Sequence, residues 1–379
     1  MRKSLPVAVL ALCCAALLFA PGPRRLADDG ARTVRAKVVE TDDSSVQLHG
    51  FVEFGTQHLK VRLPDGRVVA ADNELRAQLE LDKKFAPGDT ALVVLPAEGV
   101  PEGAALVARD HWRLGWCAAL VVAFCALLCA FGGWTGAKAL FSFLFSCLAV
   151  WKLLIPLVLA GWHASTVSFL VVAVLTGVIM YLVAGWTKKA FSAFAGSMLG
   201  VVASLGLAHL VARVMHVNGA TMPFAQQLLF SGYSFLSLQD VFIGAIVLAS
   251  SGAVMDLGMD IAAGVCEVKR HNPSLGFREL FLSGLRMGRA VVGTMTTTLL
   301  LAYSGGYLTL LMVFAAQGTR PVDFIGSTLV SAELVKTFVG SFGLVLVAPF
   351  TAFVSAAVFR RPDNKLLLAE DEGAKVRPS

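Results

Sequence analysis

The chain has 379 residues, is 56% hydrophobic and 15% charged, and carries a formal net charge of +6 with a pI near 9.0. An ordinary soluble domain carries about a quarter charged residues, so this composition excludes a conventional soluble globular protein. Nucleic acid is not an expected partner either, because the Lys and Arg residues cluster beside apolar blocks and form no basic stripe with interleaved aromatics.

Arg2 and Lys3 precede an apolar run from Leu5 to Ala20, the form of a secretory signal or of a short first anchor. A cut after Ala20 would need a small residue where Leu18 stands and would leave Pro21 just beyond it, so an uncleaved anchor with a linker to residue 31 is expected. Residues 32–113 change to strand grammar, with β-branched runs at Thr33–Val39, His58–Leu63 and Thr90–Leu95. Turns are expected at Pro64-Asp-Gly66 and at Phe85–Asp89. The reading is a β-barrel or sandwich of about seventy residues, with charges of both signs mixed over it.

From residue 114 to 359 apolar blocks of spanning length return at 114–133, 139–160, 164–185, 191–212, 240–263, 287–304 and 333–359. With the first anchor they make eight. The predicted fold class is therefore an α-helical polytopic membrane protein of about eight transmembrane helices with a small β-rich extracytoplasmic domain. Basic connections at Lys138, Lys188-Lys189, Lys269 through Arg289 and Arg360-Arg361 place both termini in the cytoplasm. The outward segments 216–239 and 305–332 are partly apolar and read as re-entrant or interfacial helices, and the polar tail 360–379 as disordered. The cysteines (Cys13, Cys14, Cys117, Cys125, Cys129, Cys147, Cys266) avoid the polar segment and show neither a disulfide framework nor zinc spacing, so no metal and no cofactor is expected.

One internal echo links Thr176–Leu182 to Ser251–Leu257, and Ala195–Met198 to Val292–Met295. The second copy carries Asp256 where the first has Tyr181, and adds Asp260 one turn on. That spacing puts both carboxylates on one helix face, where each costs about 2.5–3.5 kcal/mol near a helix centre in lipid. Ser250 and Ser251 add hydroxyls near the same stripe. Asp260 has an equally good plain reading as a headgroup-region residue pairing with basic neighbours. The next helix offers Arg286 and Arg289 for an Asp–Arg pair, although Arg286 is chiefly a topology signal, and Thr294, Thr296 and Thr297 for a hydrated path, although helix packing is the commoner use. Glu333 and Lys336 can meet at i, i+3, as capping at the outer surface.

The segments Ser251–Ile261, Ser283–Arg289 and Gly293–Tyr303 together resemble the YibE/F family of bacterial membrane proteins, over about Arg32 to Phe359. Thr297 is a departure, since the family often carries Asn there. The resemblance implies a multi-pass protein of the bacterial inner membrane, with transport suggested by its shape.

The expected function is that of a transporter or permease in which Asp256 and Asp260 bind a cation or proton, with an unidentified ion or small solute and the lipid bilayer as partners and a homo-oligomer left open. The alternative is a membrane scaffold or sensor whose β-rich domain binds a partner or ligand. An enzyme is not expected: two carboxylates on one helix turn do not face each other across a substrate, and no nucleophile elbow, metal constellation or phosphate loop occurs.

Overall fold

The structure, a computed structural model, describes residues 14–19, 31–96 and 105–360. Most of the expected first anchor and all of the expected tail but Arg360 lie outside these residues. The chain divides into two compact units at Gly133, the second starting at Trp134 and including residues 14–19.

Six strands occupy the described part of the first unit: β1 (Arg32–Asp42), β2 (Val46–His49), β3 (Val52–Arg62), β4 (Val68–Arg76), β5 (Thr90–Leu95) and β6 (Leu106–His111). The first half of β1 pairs antiparallel with β5 and the second half with β3, the change falling at Lys37, just before a bulge between Val38 and Glu40. β3 pairs with β4, β4 runs parallel to β6, and β6 pairs with β5, so five strands close into a ring while β2 adds a hairpin to β3. This order, β1-β3-β4-β6-β5, with a single parallel pair is the connectivity of the five-stranded OB-type barrel. Alternate residues such as Ala36, Val38, Leu59, Val61, Ala71, Ala91 and Val93 fill the interior.

Both expected turns are present. At the first, the Leu63 N–H donates to the Arg67 carbonyl at 2.9 Å. At the second, the Gly88 N–H donates to Val38 O (2.9 Å) and the Val38 N–H to Asp89 O (2.8 Å), which satisfies both backbone groups of Val38 beside the bulge. One polar side chain organises the barrel interior. Gln57 is fully buried; its amide donates to Phe85 O (2.8 Å) and Asp43 Oδ1 (2.9 Å), and its carbonyl accepts from Phe85 N (3.0 Å) and Asn73 Nδ2 (3.2 Å). Lys84 bridges Asp43 (3.0 Å) and Glu53 (2.9 Å) beside it. The Lys84 ammonium first, and the Gln57 amide second, hold the Asp43 carboxyl below the usual carboxylate range.

The second unit is helical. Its elements are α1 (14–19), the part of α2 (Leu114–Ala149) beyond Gly133, a π-turn at Val150–Leu154, α3 (Ile155–Leu159), α4 (Ala164–Ala184), α5 (Lys188–Val214), α6 (Ala225–Phe230), α7 (Leu238–His271), α8 (Phe277–Gly306), α9 (Leu308–Ala316), α10 (Pro321–Ile325) and α11 (Thr328–Phe359). The π-turn precedes Pro156, whose missing N–H would otherwise leave a gap in the hydrogen-bond ladder.

Five stretches among the described residues are long and apolar enough to cross a membrane: Leu114–Leu159, α4, α5, α7 and α11. They become six if α8 and α9, bent by 65° at Tyr307, count as one. The expected count of eight is thus not confirmed among the described residues. The first anchor lies largely outside the described residues, and the blocks at 114–133 and 139–160 fall within the single stretch Leu114–Leu159, where the helical backbone breaks at Gly133 (φ 52°, ψ −129°). The two partly apolar segments hold α6 and, in the later one, α9 and α10.

Small residues set the helix packing. On α5, Gly196, Gly200 and Ser204 recur every fourth residue, and they meet Thr351, Val347 and Gly343 of the antiparallel α11. A Cβ on Gly196 would overlap the Thr351 side chain and stand 2.6 Å from its Cα. Gly284 and Gly288 of α8 meet Ala352 and Ala348 of α11 in the same way, and Gly258 of α7 meets Ser197 of α5. The buried hydroxyls of Ser204 and Thr351 have no hydrogen-bond partner among the described residues and rest instead against the Cα atoms of Gly343 and Gly196, a geometry suited to weak Cα–H···O contacts.

Two predictions follow from these contacts. Gly196→Val should overpack the α5–α11 seam by about 1–3 kcal/mol and lower the thermal midpoint of the detergent-solubilised protein, whereas Gly206→Val, with nothing within 4 Å of its Cβ position, should leave it near wild type; equal midpoints would show the seam to be irrelevant. For the barrel, a carboxyl depressed in the folded state stabilises fully above its unfolded pKa of about 4 and loses that contribution as pH falls through the folded value. Amide-exchange protection of β1 and β3 should therefore decline below about pH 4, and Lys84→Ala should flatten that decline; an unchanged profile in the variant would refute the linkage.

Candidate functional site

The face that α7 turns inward is fixed by its neighbours. A Cβ on Gly244 would stand 2.9 Å from the Ala164 carbonyl of α4, Gly258 fits against α5, and Val254, Leu257, Ile261 and Val265 fill the main core. Helical spacing then leaves Gly252, Asp256 and Asp260 outward, and all three are exposed. Ser250 is buried and donates to the Ile246 carbonyl at 2.9 Å, while Ser251 donates to Leu248 O at 2.7 Å. Both hydroxyls are spent on their own helix.

Helix α8 packs antiparallel to α7. Gly284 lies against Val265, Met287 against Gly264, and Gly288 against Ile261. The same register puts Arg289 level with Asp260, and Thr294 level with Asp256. Level is not contact, however. Met287 points at α7, and residue 289 is about 200° further round the helix, so Arg289 faces the far side. Neither Arg286 nor Arg289 makes an ion pair with Asp256 or Asp260 within 4.0 Å. The Asp–Arg pair expected from the sequence is therefore not formed within the chain, because the packing of Met287 rotates the guanidinium away. Thr294, Thr296, Thr297 and Thr298 donate to the carbonyls of Val291, Val292, Gly293 and Thr294 at 2.7–3.0 Å.

A second ionic group lies at the other end of the bundle. Lys336 donates to Glu333 at 2.6 Å, with both side chains only about one-fifth exposed (20% and 21%). The Lys336 ammonium also sits 5.7 Å from the centroid of the buried Phe242 ring of α7, within cation–π range. One turn on, a Cβ at Gly340 would stand 3.3 Å from Ser250 Cβ and 3.4 Å from the Tyr303 hydroxyl, which is buried without a hydrogen-bond partner among the described residues. Phe242 and Tyr303 escaped the sequence reading. Their only sequence signal is an aromatic residue inside an apolar run, which is common to every core.

On the barrel, β4 and β6 pair only at Ala71↔Leu106 and Asp72↔Val107 and then part. The gap opens a cleft of about 650 Å³ lined by Glu74, Arg76, Asp82, Lys83, Arg109 and Asp110 among others. Asp82 is held by the backbone N–H groups of Arg76 (3.0 Å) and Gln78 (2.7 Å), so the lining is partly pre-set. Among the described residues no three His, Cys, Asp or Glu side chains gather as they would around a metal ion. The pocket between α4 and α5, about 440 Å³, is lined by Tyr181, Trp186 and Phe194 among others and carries no carboxylate.

Removing one member of a desolvated pair leaves the other stranded. Glu333→Gln should lower the stability of the solubilised protein by about 1–3 kcal/mol, and adding Lys336→Met in the same chain should recover most of it. A thermal midpoint unmoved by Glu333→Gln would mean that the pair is solvated.

Comparison with known proteins bears on the helical unit. The family model described as YibE/F-like protein matches residues 120–361, which takes in α4 to α11 and leaves out the barrel. The sequence resemblance runs from about Arg32, and the family model confirms it from residue 120 onward. No curated protein and no solved structure matches the chain. Since the match spans well over half of the residues and includes the Met-Asp and Gly-Thr-Met-Thr segments of α7 and α8, the chain belongs to the YibE/F-like family.

Proposed function

We propose that the protein is a transporter or permease of the bacterial inner membrane, with Asp256 and Asp260 as the carboxylates that bind a cation or proton. The observation that supports this reading is the pair of acids one turn apart on the outward face of an apolar helix long enough to span, with no counter-charge from their own chain among the described residues. Each such acid in lipid costs about 2.5–3.5 kcal/mol, so a wet or ionic neighbour is required. The hydroxyls of Thr294, Thr296 and Thr297 are spent on their own helix, but their oxygens keep acceptor lone pairs for water. Covalent chemistry is not part of this reading.

The basic ends of α4 and α5, of α7 and α8, and of α11 fall on one side of the bundle, which is the arrangement the orientation rule gives for a cytoplasmic face. That side also takes Lys138, which donates to the Leu182 carbonyl at the end of α4 (3.4 Å), so in this reading Leu114–Leu159 crosses twice about its break, both termini are cytoplasmic and the barrel is extracytoplasmic. A second reading, a membrane scaffold or sensor, draws support from the charged cleft of the barrel. The OB-type connectivity itself carries no function, since one fold hosts many.

In reconstituted vesicles Asp256→Asn should abolish ion or proton flux while the protein remains inserted, and unchanged flux of every tested ion would discard the permease reading. Deletion of residues 32–107 separates the alternatives. A permease keeps residual leak; a receptor built on the barrel loses all response.

A further inference from the structure

The surfaces that the helical unit turns outward differ sharply in composition. On α4 they carry Leu170, Val174 and Val183, on α5 Leu199, Val202 and Leu210, and on α11 Phe338, Phe342, Val345 and Phe353, as lipid contact demands. Helix α7 is different. Its exposed residues are Ala245, Ala249, Gly252, Asp256, Asp260, Glu267, Arg270 and His271, and no large apolar side chain is exposed anywhere along it. The adjoining face of α8 exposes Arg286, Arg289, Ala290, Gly293 and Thr297, between Leu282 and Leu300 at its two ends.

We propose that a second copy of this chain covers this face, with the two α8 helices crossing at a twofold axis along the membrane normal and Asp260 of each copy paired with Arg289 of the other. The inference stands on α7 and α8 lying in the membrane and does not depend on transport. A twofold axis along the normal preserves depth and exchanges left for right. Asp260 and Arg289 lie at one depth, as the contacts of Gly264 with Met287 and Ile261 with Gly288 establish. They also lie on opposite flanks of the α8 ridge, because Asp260 is one turn from Gly264, which meets α8, whereas Arg289 is turned away from α7. Facing copies therefore set acid against base on both flanks of the axis, and like charges nowhere at that level.

The ridge at the axis suits a close crossing. Ala290, Gly293 and Thr297 follow the i, i+3, i+7 spacing of one helix face, and nothing lies within 4 Å of a Cβ placed on Gly293. Small residues at such a crossing let backbones approach, and the packing that results is one of the forces that associate helices in lipid. Pairing removes two exposed charges per copy from lipid and leaves Asp256, level with Thr294, as the carboxylate without a counter-ion, so that in the dimer the cation or proton of the proposed function falls to Asp256 alone.

The test is complementation in trans. Two differently tagged chains are co-expressed and one tag is pulled down from mild detergent or nanodiscs. Asp260→Arg alone and Arg289→Asp alone should each lose self-association, because like charges then face each other twice. Mixing the two variants should restore a heterodimer, which a pair within one chain could never do. Gly293→Leu should weaken self-association at least tenfold while leaving the thermal midpoint of the chain in place. If the reversed variants fail to insert, Gly293→Cys in a background with the native cysteines changed to Ser should give an oxidatively linked dimer, and Gly206→Cys on the open face of α5 should not. A monomeric wild type in nanodiscs, unaltered association in all three variants, or no cross-link at position 293 would each overturn the proposal. Flux is not read in any arm, so the outcome is independent of the permease reading.

Discussion

The helical unit depends on the close approach of α5 and α8 to α11, which only residues without bulky side chains permit. Gly196 and Gly200 on one side, and Gly284 and Gly288 on the other, bring backbones against Thr351, Val347, Ala352 and Ala348. A helix held by small residues cannot rotate, because any turn drives a Cβ or a larger side chain into a neighbouring backbone. The rotational setting of α8 then decides the rest: glycines on α11, Met287 on α7, and Arg289, Gly293 and Thr297 outward. Gly244 and Gly258 set α7 in the same manner and leave Asp256 and Asp260 outside.

Two sets of ionisable groups in the helical unit therefore meet different fates. Glu333 and Lys336 sit on one helix at a spacing that lets them neutralise each other, with Phe242 lending its ring face, so their desolvation is offset locally. Asp256, Asp260, Arg286 and Arg289 are split between two helices whose facing sides are already filled by Gly264, Met287, Ile261 and Gly288. Their neutralisation has to come from outside the chain's own packed core, and both the proposed ion site and the proposed dimer answer that requirement.

Hydroxyl groups illustrate how composition misleads. The threonine run of α8 and the serines of α7 looked like a polar lining, yet each hydroxyl donates to a carbonyl three or four residues back. In an apolar surround that local bond is the cheapest way to satisfy the proton. The barrel shows the opposite case in Gln57, an unremarkable residue in sequence, which links β3 to the Phe85 turn, to Asn73 of β4 and to Asp43 through four hydrogen bonds. Its role was illegible because its partners are distant in the chain.

What the residues alone determined was everything governed by local periodicity and solvent: the apolar blocks, the basic ends, the strand runs from Thr33, His58 and Thr90, the turns at Asp65 and Gly88, and the sharing of one face by Asp256 and Asp260. Family membership was legible for the same reason, since it rests on contiguous segments. Only the tertiary structure decided which way that shared face points, that Met287 turns Arg289 away from it, that Phe242 lies under Lys336 with the Tyr303 hydroxyl one turn on against Gly340, and that β1 closes a ring by pairing with both β3 and β5. Periodicity defines a face relative to its own helix axis, but the direction of that face in space is set by which neighbour can approach, and that is a property of packed surfaces far apart in the chain.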